Sequence, residues 1–255
     1  MKKIFFLLVF VSSFAHSQSS EALFTAGNDF YKKGEIEKAI EAYRKIESQA
    51  VISSELYYNL GNCYYKLNKV GATIYNYEKS LQLDPLNEDA ANNLVFAKRL
   101  TIDRIEELPK SVFQKLNTNY LQKYSYNQWA IISCGFSLCT AAFFLLFYFA
   151  HHSSRKRVYF TLSIVCFVCF VTSISITHNQ YNFAKNEIYA IVFSEKVDVK
   201  NGPTVNSENI FTLHEGTKVK VLDTVDQWKK VKKIKLVDGE IGWIAAKEIK
   251  LLSLF

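Results

Sequence analysis

The sequence predicts a multi-domain membrane protein: an α-helical solenoid, a two-helix transmembrane hairpin and a small all-β barrel, in that order. Three observations predict it. Residues 20–87 repeat with a period of 34. Residues 129–149 and 158–177 form two apolar runs without an acidic or basic residue. From residue 186 onward the apolar period drops to two, as strands require.

The chain has 255 residues, room for two small domains and a membrane unit. Its formal charge of +7 would suit a nucleic-acid partner, but the distribution excludes one. Residues 18–127 carry 14 basic and 14 acidic side chains, and residues 178–255 carry 12 and 10. Most of the surplus is Lys2 and Lys3 at the start and Arg155, Lys156 and Arg157 between the apolar runs. Charge placed beside membrane segments is a topology signal, not a phosphate-binding face.

Residues 1–17 read as a signal peptide: Lys2-Lys3, an apolar core over 4–14, then Ala15-His16-Ser17 with small residues at the two peptidase positions. Cleavage is expected near Ser17–Gln18; an uncleaved anchor is the alternative.

In the repeat, Leu23, Ala26, Gly27 and Phe30 align with Tyr57, Leu60, Gly61 and Tyr64. Ala39 and Tyr43 align with Thr73 and Tyr77, and Pro85 ends the second unit. Glycine and small residues let helices approach, tyrosine fills the gap between neighbours, and proline stops a helix. The pattern resembles the tetratricopeptide repeat, a helix–turn–helix of 34 residues. A third unit opens with Ala90-Ala91-Asn92-Asn93-Leu94 but has Val95 for the glycine and Lys98 for the aromatic. It is expected to be a capping helix running to about Arg104, so that residues 20–103 form two repeats and a cap.

The resemblance implies a concave groove lined by the first helix of each pair. The candidates for binding protein there are Asn28, Tyr31, Lys32, Tyr58, Asn59, Asn62, Tyr65, Lys66, Asn92 and Asn93. Amide and phenol groups can bind an extended peptide backbone with little demand on its sequence. Within the family, a clamp for a C-terminal carboxylate needs basic residues where this chain has Phe24, Asp89 and Asn93. Asn28 and Asn59 match the clamp's asparagines, but without those bases carboxylate capture is disfavoured.

Residues 104–128 form a linker. Pro109 breaks the helical pattern, and Val112, Phe113, Leu116, Tyr120 and Leu121 then recur at helical spacing. This amphipathic helix either lies along the membrane interface or packs on the repeats. Transmembrane helices are expected over 129–149 and 158–177, joined by a basic bridge over 150–157, since about 20 apolar residues cross a bilayer core. Arg155, Lys156 and Arg157 place the bridge in the cytoplasm and both soluble parts outside it.

In the barrel, Val197 and Val199 alternate with charged residues, as do Thr217, Val219 and Val221. Asp238-Gly239 is a hairpin turn signal. Leu213-His-Glu-Gly216, Trp228-Lys-Lys-Val231 and Gly242-Trp243-Ile244 resemble the bacterial SH3-like family over residues 186–255. Trp228 and Trp243 read first as core, with a ligand groove as the alternative.

The whole order is similar to the BatE family, the repeat-and-barrel membrane proteins of the Bacteroides aerotolerance (Bat) gene cluster. Its telling stretches are Leu56-Tyr-Tyr-Asn-Leu-Gly-Asn62 and Asp103-Arg-Ile-Glu-Glu-Leu-Pro109. The resemblance implies a periplasmic scaffold whose partners are von Willebrand factor A-type membrane proteins, served by a MoxR-type ATPase. A cell-envelope sensor with a wall-binding barrel is the second reading. No catalytic set is expected: the five histidines are dispersed, and Cys166 and Cys169 share a C-x-x-C spacing inside an apolar run, which suits neither redox nor metal chemistry. No cofactor or metal is expected, and the chain is not expected to be an enzyme.

Overall fold

In the N-terminal part the 34-residue period extends to turns and caps. The structure, a computed structural model, describes residues 20–103, 121, 123–233 and 240–252. Helices α1 (20–32), α2 (Ile36–Ser48), α3 (Ser54–Lys66), α4 (Val70–Leu83) and α5 (Glu88–Lys98) follow one another. Gly34 and Asn68, 34 residues apart, both take left-handed φ, +80° and +55°. Glycine and asparagine are the residues that tolerate this. The amides around them bond alike: Glu35 N donates to Phe30 O and Lys69 N to Tyr64 O. Ser53 and Asn87, again one period apart, cap α3 and α5 by accepting from Leu56 N (3.1 Å) and Ala90 N (2.9 Å).

The capping helix is shorter than expected. It ends at Lys98, where Thr101 Oγ1 donates to the Lys98 carbonyl at 2.8 Å and Arg99 N donates to Phe96 O. Tighter bonds and a side-chain donor satisfy the last carbonyls and stop the helix. The signal-peptide reading, the Pro109 break, nearly all of the linker helix and the Asp238-Gly239 turn lie outside the described residues.

Two further helices, α6 (Tyr126–Phe149) and α7 (Ser153–Asn186), are long and apolar enough to cross a membrane and pack as a hairpin. Ser125 and Gln128 form a capping box at the start of α6. Between the helices Ser133 Oγ donates to Ser173 Oγ at 2.9 Å, and Ser163 Oγ to the Thr140 carbonyl at 3.3 Å. Small polar residues let two such helices approach and bond where side chains elsewhere are apolar. The expected bridge over 150–157 is shorter in the structure. Helix α7 begins at Ser153, so Arg155, Lys156 and Arg157 are exposed in its first turns. Three residues suffice to turn the chain, and long basic side chains reach outward from a helix as well as from a loop. Helix α7 also runs past Thr177 to Asn186; its 34 residues span roughly 50 Å, more than a bilayer core needs.

The C-terminal part has strands β1 (Tyr189–Val192), β2 (Lys196–Lys200), β3 (Asn209–His214), β4 (Lys218–Val225), β5 (Trp228–Lys233), β6 (Ile241–Ala245) and β7 (Ile249–Leu252). They form one antiparallel sheet in the order β3-β2-β6-β5-β4-β1-β7. Ala190, Val199, Leu213, Val219, Val231, Ile244 and Ile249, one from each strand, share a single core. A sheet that sends a residue from every strand into one core must curl around it. The tryptophans depart from the core reading. Trp243 lies between buried Gly242 and Ile244 and so points to the opposite face, with Lys230 Nζ 5.8 Å from its ring. Trp228 is only half-buried. Valine and isoleucine already fill the small interior.

Repeats and barrel share a core of their own. Ile74, Tyr75, Tyr77, Leu94 and Ala97 cluster with Ile191 and Leu252. Gly71 sits where a Cβ would meet the Val192 carbonyl at 2.9 Å, and its amide donates to Glu215 Oε1 at 2.8 Å. The barrel thus supplies a carboxylate to the positive end of α4. Glu78 of α4 pairs with Lys98 (3.1 Å) and with Lys218 of β4 (2.6 Å). Asp103 accepts from His214 N (2.8 Å) and Thr217 Oγ1 (2.7 Å), and Lys250 Nζ lies 4.3 Å from the Tyr75 ring centre. The loop that makes these bonds turns at Gly216, whose φ of +85° suits glycine.

Burial is the largest single influence on the Glu78 carboxyl and raises its pKa, but Lys218 and Lys98 together hold it below the ordinary value. Burial likewise raises Asp103, and the Thr217 and His214 donors together with the Lys233 charge more than offset it. Both folded pKa values are lowered, so their stabilisation is present above the ordinary carboxylate range near about pH 4. It is lost as pH falls through the lower folded values. The thermal midpoint of the detergent-solubilised chain should therefore drop as pH is lowered from 6 to 3. The Asp103→Asn variant should be less stable at pH 6 and show a shallower slope below pH 4. An unchanged slope would contradict the assignment.

Candidate peptide-binding groove

The groove begins with two close helix crossings. A Cβ on Gly27 would lie 2.5 Å from the Tyr43 ring, and one on Gly61 would lie 2.5 Å from the Tyr77 ring. Only glycine lets each tyrosine ring pass this close to the first helix of its own repeat. The ring then reaches through, and its hydroxyl emerges beside an asparagine. Tyr43 OH donates to Asn28 Oδ1 at 2.7 Å, and Tyr77 OH donates to Asn62 Oδ1 at 2.6 Å.

The next helix supplies a second donor to each oxygen. Asn59 Nδ2 donates to Asn28 Oδ1 at 3.1 Å, and Asn93 Nδ2 to Asn62 Oδ1 at 3.0 Å. The two networks are one motif repeated at a spacing of 34. Each asparagine oxygen that is bonded twice is saturated. Among the described residues, the Asn28 and Asn62 amide nitrogens and the Asn59 and Asn93 oxygens have no partner. They leave a donor and an acceptor at each step, which is what a peptide unit requires.

Two cavities lie along this ladder. One, of about 120 Å³, is lined by Asn28, Tyr31, Lys32, Tyr43, Asn59 and Asn62. The other, of about 180 Å³, is lined by Tyr31, Asn62, Tyr65, Tyr77, Asn93 and Phe96. Seven of the ten residues expected from the sequence therefore come together. Tyr58 packs instead against Tyr77, ring centres 6.1 Å apart, while Lys66 and Asn92 are exposed and line neither cavity. Sequence reasoning missed Tyr43, Tyr77 and Phe96. The tyrosines were assigned to packing, which is true of their rings but not of their hydroxyls. Their signal is the fixed spacing of 15 from Asn28 and Asn62.

Burial raises the pKa of Tyr31, Tyr43 and Tyr77, so all three stay protonated donors at neutral pH. Cys63 lies behind them in the core, its thiol pushed up to about 12 by burial, and so is not a nucleophile. Among the described residues no three His, Cys, Asp or Glu side chains gather to hold a metal. The arrangement offers binding by neutral donors and acceptors.

Residues 54–87 match the tetratricopeptide repeat family, and residues 195–250 match the bacterial SH3 domain family. No curated protein matches the chain. The first family mediates protein–protein interaction, and the second points to the cell wall.

The Gly61→Ala substitution gains up to about 1 kcal/mol of helix propensity. Overpacking costs typically about 1–3 kcal/mol. Tyr77 is fully buried and tied to Asn62, so it has no room to retreat. A net loss of about 1 kcal/mol is expected, measured as a lower denaturation midpoint. Gly135→Ala, with no atom within 4 Å of the new Cβ, is the control. Equal midpoints for the two would show that the close crossing is not required.

Proposed function

We propose that the chain is a membrane-anchored scaffold on the periplasmic side of a bacterial inner membrane, holding other membrane proteins through the groove of its repeats. The observation that carries this is the twice-repeated tyrosine–asparagine network, which leaves backbone-like donors and acceptors on residues that line two neighbouring cavities. Arg155, Lys156 and Arg157, exposed at the closed end of the hairpin, support a cytoplasmic turn. Two crossings then return the chain to the side it left. The aromatic residues Tyr124, Tyr126, Trp129 and Tyr181 gather at the other end, where a membrane–water interface favours them. The resemblance to the BatE family makes von Willebrand factor A-type membrane proteins of a Bat-type aerotolerance complex the preferred partners, with a MoxR-type ATPase reached through them.

A second reading is favoured by one observation: the barrel matches a wall-associated family and carries Trp243 and Lys230 on its outer face. In that reading the barrel binds a wall ligand and the protein is an envelope sensor.

Partner recovery from membranes separates the two. The Asn59→Ala/Asn93→Ala double variant leaves both tyrosine–asparagine bonds in place but removes two groove amides. At about 0.5–1.5 kcal/mol per hydrogen bond, recovery should weaken about tenfold or more. Unchanged partners, together with wall binding lost on Trp243→Ala, would instead support the sensor. Protease added to spheroplasts should digest both the repeats and the barrel. Protection of either would overturn the orientation.

A further inference from the structure

The ladder is periodic, and its period fails at one place. Asn28 and Asn62 are 34 residues apart and bond alike, and the next position in the series is Phe96. Where a third asparagine would continue the polar ladder, the chain places a phenyl ring, 53% exposed. A single exposed apolar side chain carries no message by itself. This one forms a wall of the larger cavity, whose other apolar walls are the rings of Tyr31, Tyr65 and Tyr77.

The number of aromatic residues in the lining rises along the groove, from two to four. At the Asn28–Asn59 step Lys32 contributes and the cavity is small, about 120 Å³. At the Phe96 step four aromatic residues, with Asn62 and Asn93, line a half-open space of about 180 Å³. A dry cavity of about 150 Å³ is enough to take a benzene ring. The space at Phe96 thus fits a phenyl or isobutyl group. Tyr31 and Asn62 line both cavities, so the two are neighbours along the groove.

We propose that the groove binds an extended peptide in two different ways, through its backbone at the Asn28–Asn59 step and through one large apolar side chain seated among Tyr31, Tyr65, Tyr77 and Phe96. This rests on the peptide-binding reading of the groove and adds the side-chain class to it. The backbone step tolerates many sequences, and the aromatic pocket selects among them. The Asn62 amide and the Asn93 oxygen can bond a small polar group at this step, but a polar side chain large enough to fill the space would exchange much of its water for aromatic faces. An apolar one gains contact with all four rings.

The test uses the full chain in detergent micelles and a fluorescein-labelled positional-scanning library of extended decapeptides. The wild type should bind and should prefer Phe, Leu or Met over Ser or Asn at one position by about tenfold or more. Phe96→Asn, which continues the asparagine series, should remove that preference while the pool still binds. Phe96→Leu, which keeps an apolar wall, should retain it. Binding without an apolar preference, or a preference untouched by Phe96→Asn, would overturn the pocket assignment and leave the groove reading standing. No binding of any peptide to the wild type would overturn both.

Discussion

Six consecutive residues of helix α4, from Thr73 to Glu78, are buried, which leaves no face of that stretch to water. Helices α3 and α5 cover one side and strands β1 and β7 cover another. A helix buried all round cannot be stable in a two-repeat array alone, because the outer face of its last helix would meet solvent. The barrel closes that face. Its polar bonds lie at the rim of the shared apolar cluster, where Glu215 meets the helix N-terminus, Lys218 meets Glu78 and Asp103 meets the β3–β4 turn. Glu78 is tolerable in this position because two ammonium groups accompany it; one without partners would be costly.

With α4 held from outside, its inner face can be spent on the groove. Tyr77 belongs to the cluster shared with the barrel and also donates to Asn62 in the groove. One side chain thus links the shared core to the groove. Tyr43 plays the equivalent part in the first repeat, within the cluster formed by α2 and α3. Both depend on a glycine opposite the ring. Close packing and the polar network of the groove are therefore not separate regions of this solenoid: the ring that fills the core is the group that orients the asparagine.

The hairpin follows different rules. Its helices meet through small residues and hydroxyl bonds, Ser133 with Ser173 and Ser163 with the Thr140 carbonyl, the kind of contact that holds helices together in a bilayer, where no water drives apolar groups together. Its cysteines are small apolar residues in that setting, consistent with a passive role. The basic cluster accounts for much of the net charge, and its placement in the first turns of α7 brings charge to the end of the hairpin without lengthening the loop.

Sequence alone determined the features that depend on local periodicity: the 34-residue repeat with its glycines and tyrosines, the presence and polarity of the two apolar helices, and the alternation of the strands. Each is legible because residues near in the chain share a face at a fixed spacing. Most of the groove was legible for the same reason, since Asn28, Asn59, Asn62 and Asn93 recur on one helix face. Tertiary structure decided which faces meet. The apolar surface of α4 signals that something covers it, but no local pattern names β1 and β7 as the cover. Trp243 reads as core by composition and turns outward because Gly242 and Ile244 hold the inward positions beside it. Phe96 reads as a failed repeat position; only the convergence of three tyrosines from other helices makes it the wall of a pocket.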